Sequence, residues 1–249
     1  MKEITSRTNE LIKHVTRIAT QKKYREQTKQ FCAEGIRICK TLREDNIKLL
    51  HLFTTPSMKN QAQTFIESDE LILVPDHVME KISQSSSPSG ILGIFEKPKT
   101  PSTASITPGI VLAQIADPGN MGTLIRTAAA MNVSSVIVIN GADPWSPKVV
   151  QASAGTLGGI TLFEWTWSEL VLNKQSIPLV GLVAHGGEPP EKAALNASLL
   201  VVGSEAHGIA QNWLEDCDQR ITLAMPGNTE SLNAAVAGSI ALYLGYHQN

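Results

Sequence analysis

The chain has 249 residues, 42% of them hydrophobic and 18% charged. That composition excludes disorder and suffices for one large domain or two modest ones. Apolar runs such as Leu199 to Val202 are far too short to cross a bilayer, so no membrane partner is expected. Met1 to Arg7 lacks the apolar core of a secretory signal. Cys32, Cys39 and Cys217 follow neither a metal nor a disulfide spacing, which suits free thiols in a reducing cytosol. The net charge of −2 hides an asymmetry. Residues 1–50 hold twelve Lys and Arg against six Asp and Glu, while the remaining residues hold nine against seventeen. Two readings stay open on charge alone: a basic end built to meet a polyanion, or two exposed helices solvated by Lys and Arg.

In chain order, Ile4 to Thr20 places Leu11, Ile12, Val15, Ile18 and Ala19 at helical spacing. Gln21 to Gln30 is polar and basic, and a second helix is expected from about Phe31 to Arg43. Leu49–Thr54 and Glu70–Val74 read as short strands, each followed by proline. Val78–Ser83 reads as a brief helix and Gly90–Phe95 as another strand. Residues 97–108, with Pro98, Pro101 and Pro108 among hydroxyl residues and no periodicity, read as a linker. Beyond it, strands at Ile110–Ile115, Ser135–Ile139, Pro178–Val183 and Ser198–Val202 alternate with helices. One such helix is expected from about Gly122 to Met131, one opens at Ser146-Pro147, and a terminal one runs from Ser231 to Tyr246. The pattern predicts an α/β fold: a C-terminal parallel sheet covered by helices (109–249), preceded by a small α/β domain (1–96).

Ligands on such sheets gather in loops beyond the carboxyl ends of the strands, and three loops there are unusual. Asp117-Pro118-Gly119-Asn120-Met121-Gly122 leads into a helix carrying Arg126; Asn120 could cap that helix, and the glycines admit a close ligand. The same residues also suit an ordinary turn. Gly203-Ser204-Glu205-Ala206-His207-Gly208 follows a strand and sets a carboxylate beside a helix start, where it could cap or serve chemistry. Leu223 to Ala235 contains Ser231 and Asn233, which could cap the last helix or bind substrate oxygens. No dinucleotide glycine fingerprint, phosphate loop or nucleophile elbow is present. The six histidines include no His-x-x-x-His pair, so no catalytic metal is expected.

Taken together, the three loops resemble the three motifs of the SpoU branch of the SPOUT RNA methyltransferases. Asn120-Met121-Gly122 with Arg126 matches the first motif, Gly203-Ser204-Glu205 with Gly208 the second, and Met225 to Asn233 the third. Ser153-Ala154-Gly155 resembles a small-residue stretch between the first two. Upstream, Ile4 to Arg7, Lys22-Lys23-Tyr24-Arg25, Phe31 to Gly35 and Ile91 to Phe95 resemble the family's RNA-binding domain, which is similar to ribosomal protein L30e. One departure is Ala224, where family members commonly have proline.

The resemblance implies a deep trefoil knot, S-adenosylmethionine as cofactor, and a cytoplasmic homodimer with each active site completed across the interface. It implies methylation of a ribose 2′-hydroxyl in structured RNA, with ribosomal RNA ahead of transfer RNA. The alternative of another class is a catalytically silent RNA-binding protein that aids ribosome assembly. Arg126, Asn120, Glu205, Ser231 and Asn233 become the candidate catalytic residues. Arg126 would stabilise a developing alkoxide, because a guanidinium stays protonated and cannot act as a free base. Gly203, Leu223, Leu232, Met225 and Ala184 become the cofactor-binding candidates, and Arg7, Lys22, Lys23 and Arg25 the RNA contacts.

Overall fold

The computed structural model describes residues 2–66, 70–227 and 231–247. The chain divides into two compact units, one of residues 1–99 with 143–158, the other of residues 100–142 with 159–249. The catalytic half expected over 109–249 therefore cedes an internal segment to the first unit.

In the first unit, β1 (Lys2–Glu3), α1 (Glu10–Thr20), α2 (Lys22–Thr28), β2 (Gln30–Glu34), α3 (Ile36–Glu44), β3 (Leu49–Thr54), α4 (Lys59–Ala62), β4 (Leu71–Leu73), α5 (Asp76–Ile82) and β5 (Ile91–Glu96) follow in order. The strands form one mixed sheet ordered β1-β4-β3-β5-β2. Helix α1 starts at Glu10, not Ile4, because the Asn9 side chain accepts from Leu11 N and caps it. Its buried stripe of Ile12, Val15, Ile18 and Ala19 packs with Cys32, Phe53, Leu92 and Ile94 of the sheet and with α5. The helix expected over Phe31 to Arg43 is a strand followed by a helix. Gln30 to Glu34 pairs antiparallel with β5, and Gly35, at φ +95°, breaks the chain before α3.

The second unit holds β6 (Gly109–Ala113), α6 (Pro118–Ala130) and β7 (Ser135–Ile139). The chain then returns to the first unit for α7 (Pro147–Ala152), capped by Ser146 as the Ser-Pro pair predicts. It re-enters the second unit with β8 (Thr161–Glu164), α8 (Trp167–Asn173), β9 (Leu179–Leu182), β10 (Leu199–Val202), α9 (Gln211–Glu215), β11 (Gln219–Ile221) and α10 (Ala234–Tyr246). All six strands run parallel in the order β11-β9-β10-β6-β7-β8. β6, β7 and β10 are buried along their whole length, as continuous apolar runs require. Adjacent β6 and β10 pair Leu112 with Val202, so the loops leaving them emerge side by side. α10 packs against α6 with little clearance: a Cβ on Gly238 would lie 2.6 Å from Leu124 Cδ2. The expected linker is partly anchored, since Ile106 is buried and Thr107 N donates to Ser135 Oγ at 3.0 Å.

The segment 143–158 is tied to the first unit by a buried ion pair. Arg25 Nε and Nη2 both donate to Asp143 Oδ2, at 2.8 and 2.6 Å, and Arg25 Nη1 donates to Ile18 O at the end of α1. The other Asp143 oxygen accepts from Trp145 N, and Trp145 packs on Phe31 with ring centroids 5.0 Å apart. Gly155, at φ +83°, passes so close to α3 that a Cβ would lie 3.0 Å from Ile38 O. Both buried thiols of the first unit are pushed up by burial, Cys39 to about 12, which suits inert core positions.

Removing one partner of a buried pair strands the other charge, whereas an exposed pair contributes little. Arg25→Ala should lower unfolding free energy by about 3–5 kcal/mol. Arg7→Ala, which breaks only exposed contacts, the pair with Glu80 and a hydrogen bond to His77 O, should cost about 1 kcal/mol. Urea denaturation of the two variants compares them directly, and equal small losses would contradict this role for Arg25.

Candidate active site

Helix α6 begins four residues earlier than its alanine-rich body suggests. Asp117 is the N-cap, its Oδ1 accepting from Asn120 N at 2.8 Å, and Pro118 takes the first helical position. The expectation that Asn120 caps this helix is thus corrected: Asp117 satisfies the helix donors and leaves the Asn120 amide available. The Asp-Pro dipeptide was the signal for this start.

At α10 the structure separates the two candidate caps. Asn233, not Ser231, is its cap, with Oδ1 accepting from Ala235 N at 2.9 Å and Val236 N at 3.2 Å. Backbone N–H groups can only donate, so Asn233 must turn its oxygen to the helix and its Nδ2 outward. That Nδ2 donates to Asn120 Oδ1 at 3.1 Å. The Asn120 oxygen being engaged, its own Nδ2 faces Glu205 and donates to Oε1 at 2.7 Å. The start of α10 therefore sets two amide orientations in series, and the last of them holds a carboxylate. Asn228, Thr229 and Glu230 of the third motif lie outside the described residues.

Glu205 stands at the tip of a tight loop. Ser204 and Gly208 exchange backbone hydrogen bonds at 3.0 and 2.9 Å, His207 N donates to Ser204 Oγ, and Gly208 adopts φ +66°. Gly203 has no room for a side chain, since a Cβ would lie 2.2 Å from Gly208 C.

Beside this loop, at the carboxyl ends of β9 and β10, lies a cleft of about 370 Å³. Leu182, Val202, Ile209, Leu223, Met225 and Leu232 give it apolar walls, and Ser204, Glu205, His207 and Ser231 supply polar groups. All five cofactor candidates, Ala184, Gly203, Leu223, Met225 and Leu232, line it, as do Glu205 and Ser231. The sequence reading missed Leu182, Val183 and His207, whose placement depends on how β9 and the Glu205 loop converge. Asn120 and Asn233 reach the cleft only through Glu205. Arg126 does not line it. It sits on the exposed face of α6 with Gly119, Thr123 and Ala130, and it makes no hydrogen bond or ion pair to any described residue.

Of the RNA candidates, Lys23 is exposed, Lys22 lies 3.9 Å from Glu26, and Arg7 is engaged by Glu80 and His77 O. Arg25 is corrected: buried against Asp143 and the end of α1, it presents no charge to a phosphate. Among the described residues no cluster of His, Cys, Asp or Glu could hold a metal ion, and no helix is long and apolar enough to cross a membrane.

Residues 108–243 match the SpoU rRNA Methylase family, and residues 9–93 match the MRM3-like substrate binding domain. The first match spans more than half of the chain, which belongs to the SpoU rRNA methylase family. The chain is similar to a 23S rRNA (guanosine(2553)-2′-O)-methyltransferase of Bacillus subtilis, 27% identical over 98% of each chain. It is also similar to a 23S rRNA (uridine(2479)-2′-O)-methyltransferase of Streptomyces viridochromogenes, 27% identical over 74% of this chain and 69% of the other. Among solved structures, an AdoMet-bound rRNA methyltransferase from Sinorhizobium meliloti superposes with a TM-score of 0.86 and 25% identity, covering 99% of this chain and 98% of that one.

Two substitutions separate the capping of α10 from the relay to Glu205. Asn233→Ala should lose the cap, about 1 kcal/mol, together with methyl transfer. Asn233→Asp keeps a good cap but cannot donate to Asn120 Oδ1, so thermal stability should hold while turnover falls about 100-fold. Full turnover in Asn233→Asp, with unfolding followed in parallel, would show the relay to be dispensable.

Proposed function

We propose that this chain transfers the methyl group of S-adenosylmethionine to a ribose 2′-hydroxyl of structured RNA. Ribosomal RNA is the first choice of substrate and transfer RNA the second, and the reaction takes place in the cytoplasm. The observation that carries the reading is the convergence of three distant loops on one cleft, with Glu205 held there by Asn120 and Asn233. The names of the relatives point the same way, two to 23S rRNA and one to tRNA/rRNA. A deep knot belongs to this reading. It is supported by the insertion of β10 between β9 and β6, and by Leu223 and Met225 lining the same cleft as Gly203.

The cleft suits the cofactor chemically. Its volume lies in the range of pockets for ligands of this size. Its apolar walls can take an adenosyl group, and side-chain-free Gly203 lets backbone groups approach it. Gly203, Leu223, Met225, Leu232 and Ala184 would hold the cofactor. When bound, it supplies a methyl group already activated by a sulfonium leaving group, so no metal is needed. The protein's task is alignment and charge: Glu205, Asn120 and Asn233 keep the cleft rim in register, and Ser231 orients polar groups at its mouth. As the hydroxyl loses its proton to solvent water and its oxygen takes the methyl group, releasing the thioether, Arg126 stabilises the developing alkoxide and holds the adjacent phosphate.

Because Arg126 stands off the cleft of its own chain, we propose that it acts in the site of a second copy. A homodimer is supported by α10, which exposes Val236, Ile240, Tyr243 and Leu244 at 47%, 39%, 55% and 39%. Their spacing lays an apolar stripe along one face of the helix, an arrangement that marks an association surface.

Purified protein supplied with labelled S-adenosylmethionine should methylate protein-free ribosomal RNA, and no incorporation into any RNA class would overturn the reading. Arg126→Ala should lose at least about 100-fold in turnover while calorimetry finds cofactor affinity within a few-fold of wild type; retained turnover would exclude the role. Val236→Glu combined with Tyr243→Glu should shift the protein from dimer to monomer in light scattering. Mixing that variant with Arg126→Ala should fail to restore activity, whereas full activity in the monomer would rule out a shared site.

A further inference from the structure

The corrected position of Arg25 leaves open which residues of the first unit meet RNA, and the structure offers a different arginine. Arg17, on α1, is exposed, and its side chain makes no hydrogen bond or ion pair to any described residue. It is nevertheless ordered by stacking: its Cζ lies 3.7 Å from the centroid of the Tyr24 ring on α2. Tyr24 is half-buried against the core of the unit and held from its other end. Its hydroxyl lies 2.8 Å from His14 Nδ1, and His14 Nε2 lies 2.8 Å from Gln30 Oε1. An amide oxygen can only accept, so His14 Nε2 carries a proton, and in the neutral ring Nδ1 accepts from the tyrosine hydroxyl. The chain Gln30–His14–Tyr24 thereby sets the plane of the ring on which Arg17 rests.

Among the described residues no carboxylate bonds to any of these four side chains, so the Arg17 charge is not neutralised by a direct partner. The nearby His51 ring is held below its usual range, chiefly by burial. An exposed guanidinium without an anionic partner suits a polyanion. A guanidinium with one face on an aromatic ring and the other toward solvent is a flat, charged platform of the kind on which unpaired RNA bases stack.

We propose that Arg17, held against Tyr24 by the His14–Gln30 chain, is a stacking contact for an unpaired base of the RNA substrate. This rests on the reading of the chain as an RNA-modifying enzyme, and it makes Arg17 a binding residue remote from the cofactor cleft. Shape and charge both matter: the platform needs a planar cation, so lysine is not an adequate replacement.

The test is binding of protein-free ribosomal RNA by the full chain at one fixed salt concentration, for wild type, Arg17→Ala, Arg17→Lys and Tyr24→Leu. Arg17→Ala and Tyr24→Leu should weaken binding about tenfold, the loss of one base stack. Arg17→Lys keeps the charge and should still weaken binding by about fivefold, with the salt dependence of binding unchanged. S-adenosylmethionine affinity, measured on the same preparations, should stay within twofold of wild type. Wild-type affinity in Arg17→Ala would overturn the proposal, and wild-type affinity in Arg17→Lys would reduce it to simple charge attraction and overturn the stacking claim. Methyl transfer by wild-type protein is scored separately. Its absence alongside a normal Arg17 effect refutes the enzymatic reading alone, and its presence without an Arg17 effect refutes the platform alone.

Discussion

The candidate site depends on one constraint: the first backbone donors of α10 must be satisfied. Asn233 satisfies them with its oxygen, and because an amide has distinct ends, that choice dictates everything downstream. Its nitrogen then faces Asn120, the Asn120 nitrogen faces Glu205, and a carboxylate is held at the rim of the cleft. The relay works because parallel pairing of β6 with β10 delivers two of the three loops side by side. Close packing of Gly238 on Leu124 brings α10, and with it Asn233, down to α6. Thr127 and Ser239, with hydroxyls 3.0 Å apart, tie the same two helices further along.

Much of this was legible in the sequence where burial is total. β7 is read to the residue because Val136 to Ile139 is apolar on both faces, and β6 and β10 are read within one or two residues for the same reason. Ser146-Pro147 announces α7 because a cap followed by proline at the first helical position is a purely local signal. The three loops stood out as a set through their resemblance to a family pattern, and five residues chosen on that basis line one cleft.

What escaped the sequence depends on partners distant in the chain. Phe31 to Glu34 reads as helix by spacing, yet the pairing partner β5 lies some sixty residues on and makes it a strand. Arg25 reads as one more surface cation in a basic run, and only Asp143, 118 positions away, reveals it as a buried structural group. Likewise the Ser153-Ala154-Gly155 stretch reads as part of the catalytic half. Its glycine is explained by the backbone of α3, against which Gly155 lies. Ser231 and Asn120 were plausible caps on composition. The caps actually used, Asn233 and Asp117, differ by two or three positions, and that small shift decides which side chains remain available for the site.

The central claim is that the cleft serves methylation of a ribose hydroxyl. The most direct measurement is mass spectrometry of nucleosides from unmodified ribosomal RNA incubated with the protein and S-adenosylmethionine carrying a deuterated methyl group. The account predicts the label in a single 2′-O-methylated nucleoside, on the sugar fragment. Label on a base fragment, or none in any nucleoside from a preparation that binds the cofactor, would contradict it.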